Sequence, residues 1–375
     1  MRRMTIAVSV AALLIGVVAS GPAIGKGPPP GKGKGKKHGN PSMAVVASGF
    51  NNPRGLKFGP DGVLYVAEGG LGGSDSTVGT CPQVAPPVGP YTGSTNDPVL
   101  GGRISKISPS GTVSTVVGAL PSSVTSPALG FVSGVADVSF IGNRLYGLLA
   151  GAGCSHGVPT VPNGVIRVGA GGTWSLVANL SAFLATHPVA NPPADFEPDG
   201  TWYSMVASKG KLYAVEPNHG EVDRITPSGA ISRVVDFSAH IGHVVPTAIA
   251  RHGVFYVGNL GTFGPGDGTT ANEHVYQLNP SRRIRIRASG LEQVLALAFR
   301  GGKLYALESS TTPGGPTPGS GAIVRVRAGH PAETIASGLV LPTGMTIGHD
   351  GAFYVSEQGF GFPAGAGRVI RIALH

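Results

Sequence analysis

Residues Gly62 to Gly70 read GVLYVAEGG, a short alternating run that ends on an acid and a glycine turn. Close variants follow as GKLYAVEPN (Gly210 to Asn218), GVFYVGNLG (Gly253 to Gly261), GKLYALESS (Gly302 to Ser310) and GAFYVSEQG (Gly351 to Gly359), with a sixth echo in NRLYGLLAG (Asn143 to Gly151). Aligned on Tyr65, Tyr146, Tyr213, Tyr256, Tyr305 and Tyr354, each copy is preceded by one apolar strand pattern and followed by two more. The first unit reads PRGLKF, VLYVAE, GRISKISP and TVSTVVGAL, and four antiparallel strands per repeat is the pattern of a β-propeller blade. GPDG (Gly59 to Gly62) and GHDG (Gly348 to Gly351) stand between first and second strands, and SPSG (Ser108 to Gly111) and TPSG (Thr226 to Gly229) between third and fourth. Their glycines supply the positive φ of tight hairpins.

The last unit ends after its third strand, GRVIRIALH (Gly367 to His375), so its outer strand is missing. MAVVASGF (Met43 to Phe50) resembles the outer strand ETIASGL (Glu333 to Leu339) and is expected to complete that blade, closing the sheet edge. The fold class is therefore all-β, a six-bladed propeller of four-stranded antiparallel blades spanning 43–375. A β-sandwich also carries short alternating strands, but it gives no reason for six matching Leu-Tyr strands or for an outer strand recovered at the opposite terminus.

Composition agrees, with 61 glycines, 32 prolines and only 13% charged residues. Residues 1–20 carry Arg2 and Arg3, an apolar run from Ile6 to Val18 and the small residues Val18-Ala19-Ser20, the plan of a Sec-type signal peptide. The apolar run is shorter than the roughly 18–20 residues of a spanning helix, so no transmembrane segment is expected after cleavage and the protein reads as secreted. The net charge of +9 belongs largely to the terminus: seven cations lie in the first 40 residues, leaving 21 against 19 acids. Specific nucleic-acid binding is thus not expected. Residues 21–42 form a Gly/Pro/Lys-rich linker that either touches anionic envelope polymers or serves as a solubilising spacer. The domain is expected to be a monomer. Cys81 and Cys154 occupy corresponding loops of adjacent blades, and an even pair in an exported chain reads as a disulfide.

VVASGFNNPRGLKFGPDGVLYVAEGG near the start and VPTAIARHGVFYVGNLGTFGPGDG in the fourth blade resemble the secreted ScyD/ScyE family, named from the cyanobacterial scytonemin gene cluster. The resemblance covers roughly residues 43–375, and the blades are more loosely similar to NHL, strictosidine-synthase-like and SMP-30-like propellers. It implies an exported propeller and brings no catalytic residue set.

In such a ring the loops after second strands and before first strands share one rim around the channel. Glu68, Glu216, Glu308 and Glu357, with Asn259 in the fourth blade, should lie there, together with Arg54, Asp199, His240, His243 and Glu292. Two readings of the glutamates follow. They could ligate Ca²⁺ in the channel mouth, since hard cations take six to eight oxygens, or each could hold neighbouring backbone N–H groups or Arg54. GCSHG (Gly153 to Gly157) matches G-x-S-x-G but lacks the strand-turn-helix elbow that makes such a serine a nucleophile. The long loops, above all Gly69 to Gly101, suit recognition of a protein, glycan or small molecule. The chain therefore reads first as a binding or scaffolding module at the envelope; the competing class is a metal-dependent propeller hydrolase or lyase.

Overall fold

The alternating Leu-Tyr strands bury one face against each neighbouring repeat, and that requirement organises the whole molecule. The computed structural model describes residues 41–127, 129–193, 196–262, 273–279, 283–312 and 315–374. The signal and most of the basic linker lie outside the described residues, as do Asp195 and the loop Pro265 to Glu273 except for Glu273 itself.

Among the described residues there are six four-stranded antiparallel sheets. The first is Pro53–Phe58, Leu64–Glu68, Gly102–Ile107 and Val113–Leu120; the second is Val135–Ile141, Arg144–Leu149, Gly164–Val168 and Trp174–Asn179. The third and fourth are Ser204–Ser208, Lys211–Glu216, Glu221–Ile225 and Ile231–Asp236, then Pro246–His252, Val254–Asn259, His274–Leu278 and Ile284–Ser289. The fifth is Val294–Arg300, Lys303–Glu308, Gly321–Val326 and Glu333–Leu339. The sixth takes Gly344–Ile347, Phe353–Glu357 and Gly367–Ala373 from the C-terminus and Ser42–Phe50 from the N-terminal side. Ser42 pairs with Ala373 and Phe50 with Gly367, so the strand recovered from the far end of the sequence closes the last sheet.

First strands touch in a closed cycle, each against the first strand of the next sheet. Between every adjacent pair of sheets lies one apolar cluster. Ile104 and Leu120 meet Val138 and Leu149 between the first and second; Leu56 and Val66 meet Phe50 and Val369 between the first and sixth. Each fully buried Leu, Ile or Phe contributes about 1.5–3 kcal/mol, so stability is spread around the circle.

The hairpin chemistry is as the sequence implied. Gly62 and Gly351 take φ of 75° and 74°, and each donates its N–H across the turn at 2.9 Å. The aspartate before each glycine also anchors the repeat tyrosine: the Tyr65 hydroxyl donates to Asp61 at 2.9 Å and that of Tyr354 to Asp350 at 3.3 Å. Two elements depart from expectation. A short helix, Leu180–Thr186, follows the second sheet, capped by Asn179, whose side chain accepts the Ala182 N–H at 2.8 Å. The long Gly69 to Gly101 loop contains a strand, Thr92–Ser94, which forms a three-stranded sheet with Ser122–Val124 and Val132–Ser133.

Candidate functional site

Each repeated glutamate ends a second strand and is buried. Each turns back to accept a backbone N–H from the loop that leads into the first strand of its own sheet, 15 to 17 residues earlier. Glu68 accepts from Asn51 at 2.8 Å, Glu216 from Thr201 at 2.8 Å, Glu308 from Glu292 at 2.8 Å and Glu357 from Val340 at 2.9 Å. Asn259 does the same work with an amide, donating to the Val244 carbonyl at 2.7 Å and accepting the His274 N–H at 2.6 Å.

The residue opposite on the third strand differs from sheet to sheet. Arg103 faces Glu68 and donates at 2.7 Å, and Arg368 faces Glu357 and donates at 2.8 Å. Glu308 faces Ala322 instead, and burial pushes its pKa up to about 7. Glu216 faces Glu221, so the cation comes from His219, whose Nδ1 lies 3.1 Å away. Burial would raise Glu216, but His219 holds it below the ordinary value, and Glu216 in turn raises His219. Glu221 itself is pushed up by burial and by Asp223 two residues along the strand.

Of the two readings of Glu68, Glu216, Glu308 and Glu357, these contacts match the second, in which each holds backbone N–H groups near its own sheet. Both carboxylate oxygens of Glu68, Glu216 and Glu357 and one of Glu308 bind groups of their own sheets or the adjoining loops, and among the described residues no group of three or more His, Cys, Asp or Glu is placed to hold a metal. The channel mouth already carries a fixed cation, Arg54, whose guanidinium lies 6.0 Å over the Tyr203 ring and donates to the Val132 carbonyl at 2.6 Å.

The other rim candidates are dispersed. Asp199 accepts both the Ser155 N–H and hydroxyl at 2.7 Å, so it buttresses the CSH turn, and Ser155 is fully buried with its hydroxyl committed. His240 is exposed beside Arg233 and Asp236, at a surface cavity along the outer strand of the third sheet and away from the channel. His243 and Glu292 are half-buried, with the Glu292 carboxyl raised to about 7 by burial and by Glu273. Cys81 and Cys154 are joined, tying the long loop to the second sheet. Tyr91 from that loop stacks on His156 at 4.4 Å and 10° and donates to Glu197 at 3.2 Å, and the His156 ring also meets the Ser123 hydroxyl at 3.0 Å. The wall over the rim is thus a built structure.

Three residues missed by sequence reasoning line one cavity at the channel: Tyr203, which also meets Arg54, and Asp137 and Lys57. The Tyr203 hydroxyl crosses the mouth to donate to the Thr343 carbonyl at 3.1 Å. Below it, Asp137 projects from the first strand of the second sheet and accepts the N–H groups of Met205 and Val138 at 2.7 and 2.8 Å. Burial raises the Asp137 pKa to about 6, and Lys57 opposes the shift. A Cβ on Gly55 would fall 1.9 Å from Asp137 Oδ1, so glycine is what admits the carboxyl. A cavity of about 30 Å³, the share of one water, adjoins these groups and is lined by Lys57, Asp137, Tyr203 and Thr343. The available signal was Asp137 itself, the one acid in any first strand, set in the apolar run VADVSFI.

The class these features define is the β-propeller, and the solved structures agree. An oxidoreductase from Thermus thermophilus described as a glucose dehydrogenase is 18% identical, with a TM-score of 0.56 over 89% of this chain and 100% of that one. A gluconolactonase from Xanthomonas campestris (11%, TM-score 0.53, 89% of each chain) and a PQQ-bound aldose sugar dehydrogenase from Streptomyces coelicolor (12%, TM-score 0.53, 90% of this chain and 99% of that one) share the fold. At these identities the likeness is one of fold. No protein-family model matches the chain, and no curated protein matches it.

Proposed function

We propose that this protein is an exported β-propeller hydrolase of the ScyD/ScyE type that opens an ester or lactone at the channel mouth. The observation that carries the reading is Asp137, a buried carboxylate with its pKa raised to about 6, which lines a water-sized cavity together with Lys57 and with Tyr203, whose ring lies under the Arg54 guanidinium. A base with that pKa is poised near neutral pH. Asp137 takes a proton from the cavity water as the water oxygen bonds to the substrate carbonyl carbon. The guanidinium of Arg54 and the Tyr203 hydroxyl, released from Thr343, donate to the oxyanion. The C–O bond then breaks, and the proton on Asp137 passes to the leaving alkoxide. The gluconolactonase among the fold neighbours supports a sugar-derived lactone as the first substrate to try. In this reading the basic segment 21–42 keeps the enzyme near anionic envelope polymers.

The second reading, a binding module without turnover, is favoured by the Tyr203 to Thr343 bond across the mouth and by the disulfide-tied wall above it. A titrimetric assay on aldonolactones and simple esters, before and after exhaustive chelation, separates the two. The proposal expects turnover that survives chelation. Saturable ligand binding at the mouth with no turnover would favour the binding module, and turnover abolished by chelator would contradict the metal-independent mechanism.

A further inference from the structure

We propose that the outer strand of the fourth sheet, Ile284–Ser289, is a docking edge for an extended acidic peptide, which adds to it as a further strand. This rests on observations remote from the channel and is independent of the hydrolase reading.

Apart from its terminal segment the chain is nearly neutral, yet four arginines fall between 282 and 287 in RRIRIR. Arg283, Arg285 and Arg287 recur at every second residue, which spaces successive cations by about 7 Å along a strand. Arg283 and Arg285 are exposed and Arg287 is half-buried, and Ile286 between them is 59% exposed. Among the described residues none of the three has a carboxylate partner. Ile284–Ser289 pairs only with His274–Leu278, and no described backbone group bonds to its other side.

Edge cations commonly protect a sheet from pairing with copies of itself. That does not account for this strand, because the outer strands of the first, second and sixth sheets carry no charged residue at all. In the third, Arg233 is turned inward onto Glu221, and in the fifth Glu333 meets Arg325 and Arg327. The fourth edge alone presents unneutralised cations in strand register. An extended chain with Glu or Asp at alternate positions places its carboxylates opposite the arginines while its backbone fills the open ladder.

The probe is a labelled seven-residue peptide alternating Glu and Thr, followed by fluorescence anisotropy at low salt, with two comparison ligands: a peptide of the same charge alternating Glu and Pro, and inorganic polyphosphate. Saturable binding of the Glu-Thr peptide is expected, weakened about tenfold or more in Arg285→Glu/Arg287→Glu, with slowed amide exchange at 284–289. Because both sites are at the surface, the variant should melt close to the wild type; if it does not fold, Arg285→Ser/Arg287→Ser serves in its place. The Pro peptide, unable to complete the ladder, should bind at least about tenfold more weakly. Equal binding of the Pro peptide or of polyphosphate would overturn the strand-addition proposal in favour of charge alone. Absence of binding to the wild type, or undiminished binding to the variants, would overturn it altogether.

Discussion

Glu68→Ala is expected to destabilise the fold by about 2–4 kcal/mol, measured by chemical denaturation, because it removes a fully buried carboxylate and leaves its partners without an acceptor. Three groups lose their acceptor: the Asn51 N–H, the Arg103 guanidinium and the fully buried Ser105 hydroxyl. Glu357→Ala removes the acceptor of Val340 and of Arg368 and should cost a similar amount. Glu308→Ala should cost less, about 1–3 kcal/mol, since Glu308 faces Ala322 and loses chiefly the Glu292 N–H. The ranking is the informative part. Were the four carboxylates joint ligands of one ion, their substitutions would converge on one effect that chelation of the wild type reproduced; the sheet-by-sheet account requires unequal costs that chelator leaves untouched.

Removing the disulfide has the second large effect. Cys81 and Cys154 are 73 residues apart in sequence, a long loop whose closure in the unfolded chain accounts for about 4 kcal/mol in the chain-entropy picture. Cys81→Ser/Cys154→Ser should therefore lower the melting temperature by roughly 4–7 °C. The wall above the rim should loosen before the ring does, because without the disulfide the Gly69 to Gly101 loop is held by its short strand, the Tyr91, His156 and Glu197 contacts and scattered hydrogen bonds to residues such as Ser122 and Ser126, and no full sheet ladder. Limited proteolysis should cut first between 69 and 101 in the variant. First cuts elsewhere, or an unchanged melting temperature, would mean that the loop is held by those contacts alone.

The ring was legible because it is repeated. Leu-Tyr strands, DG and SG turns and the displaced strand at Met43 to Phe50 are local signals, and six copies reinforce one another. The repeat was also what misled. Its most conspicuous polar feature, the terminal glutamate, is shared between sheets because it solves a problem every sheet has: how to hold the loop before its own first strand. The channel groups break the repeat. Asp137 stands where other first strands are apolar, and Tyr203 reaches Thr343 only because the ring closes, a relation between residues 140 apart that no local pattern carries. The glutamates' partners needed the third strand as well: whether Arg103, Glu221 or Ala322 faces the glutamate is fixed by register across the sheet.

The most direct test of the central claim, that the centre of the protein is the Arg54, Tyr203 and Asp137 group at the channel mouth, is the pH dependence of lactone hydrolysis and of stability in Asp137→Asn against the wild type. With its folded pKa raised to about 6, Asp137 contributes stability that is fully present below its unfolded value and lost as pH rises through about 6. At pH 7 the ionised carboxylate therefore opposes folding by about 3 kcal/mol, a cost that asparagine removes as it gives up one acceptor. The account predicts a variant at least as stable as the wild type at pH 7, with a flatter stability profile between about pH 4 and 6 and hydrolysis slowed by about 10²–10⁴-fold. A folded Asp137→Asn that hydrolyses lactone at the wild-type rate would contradict it.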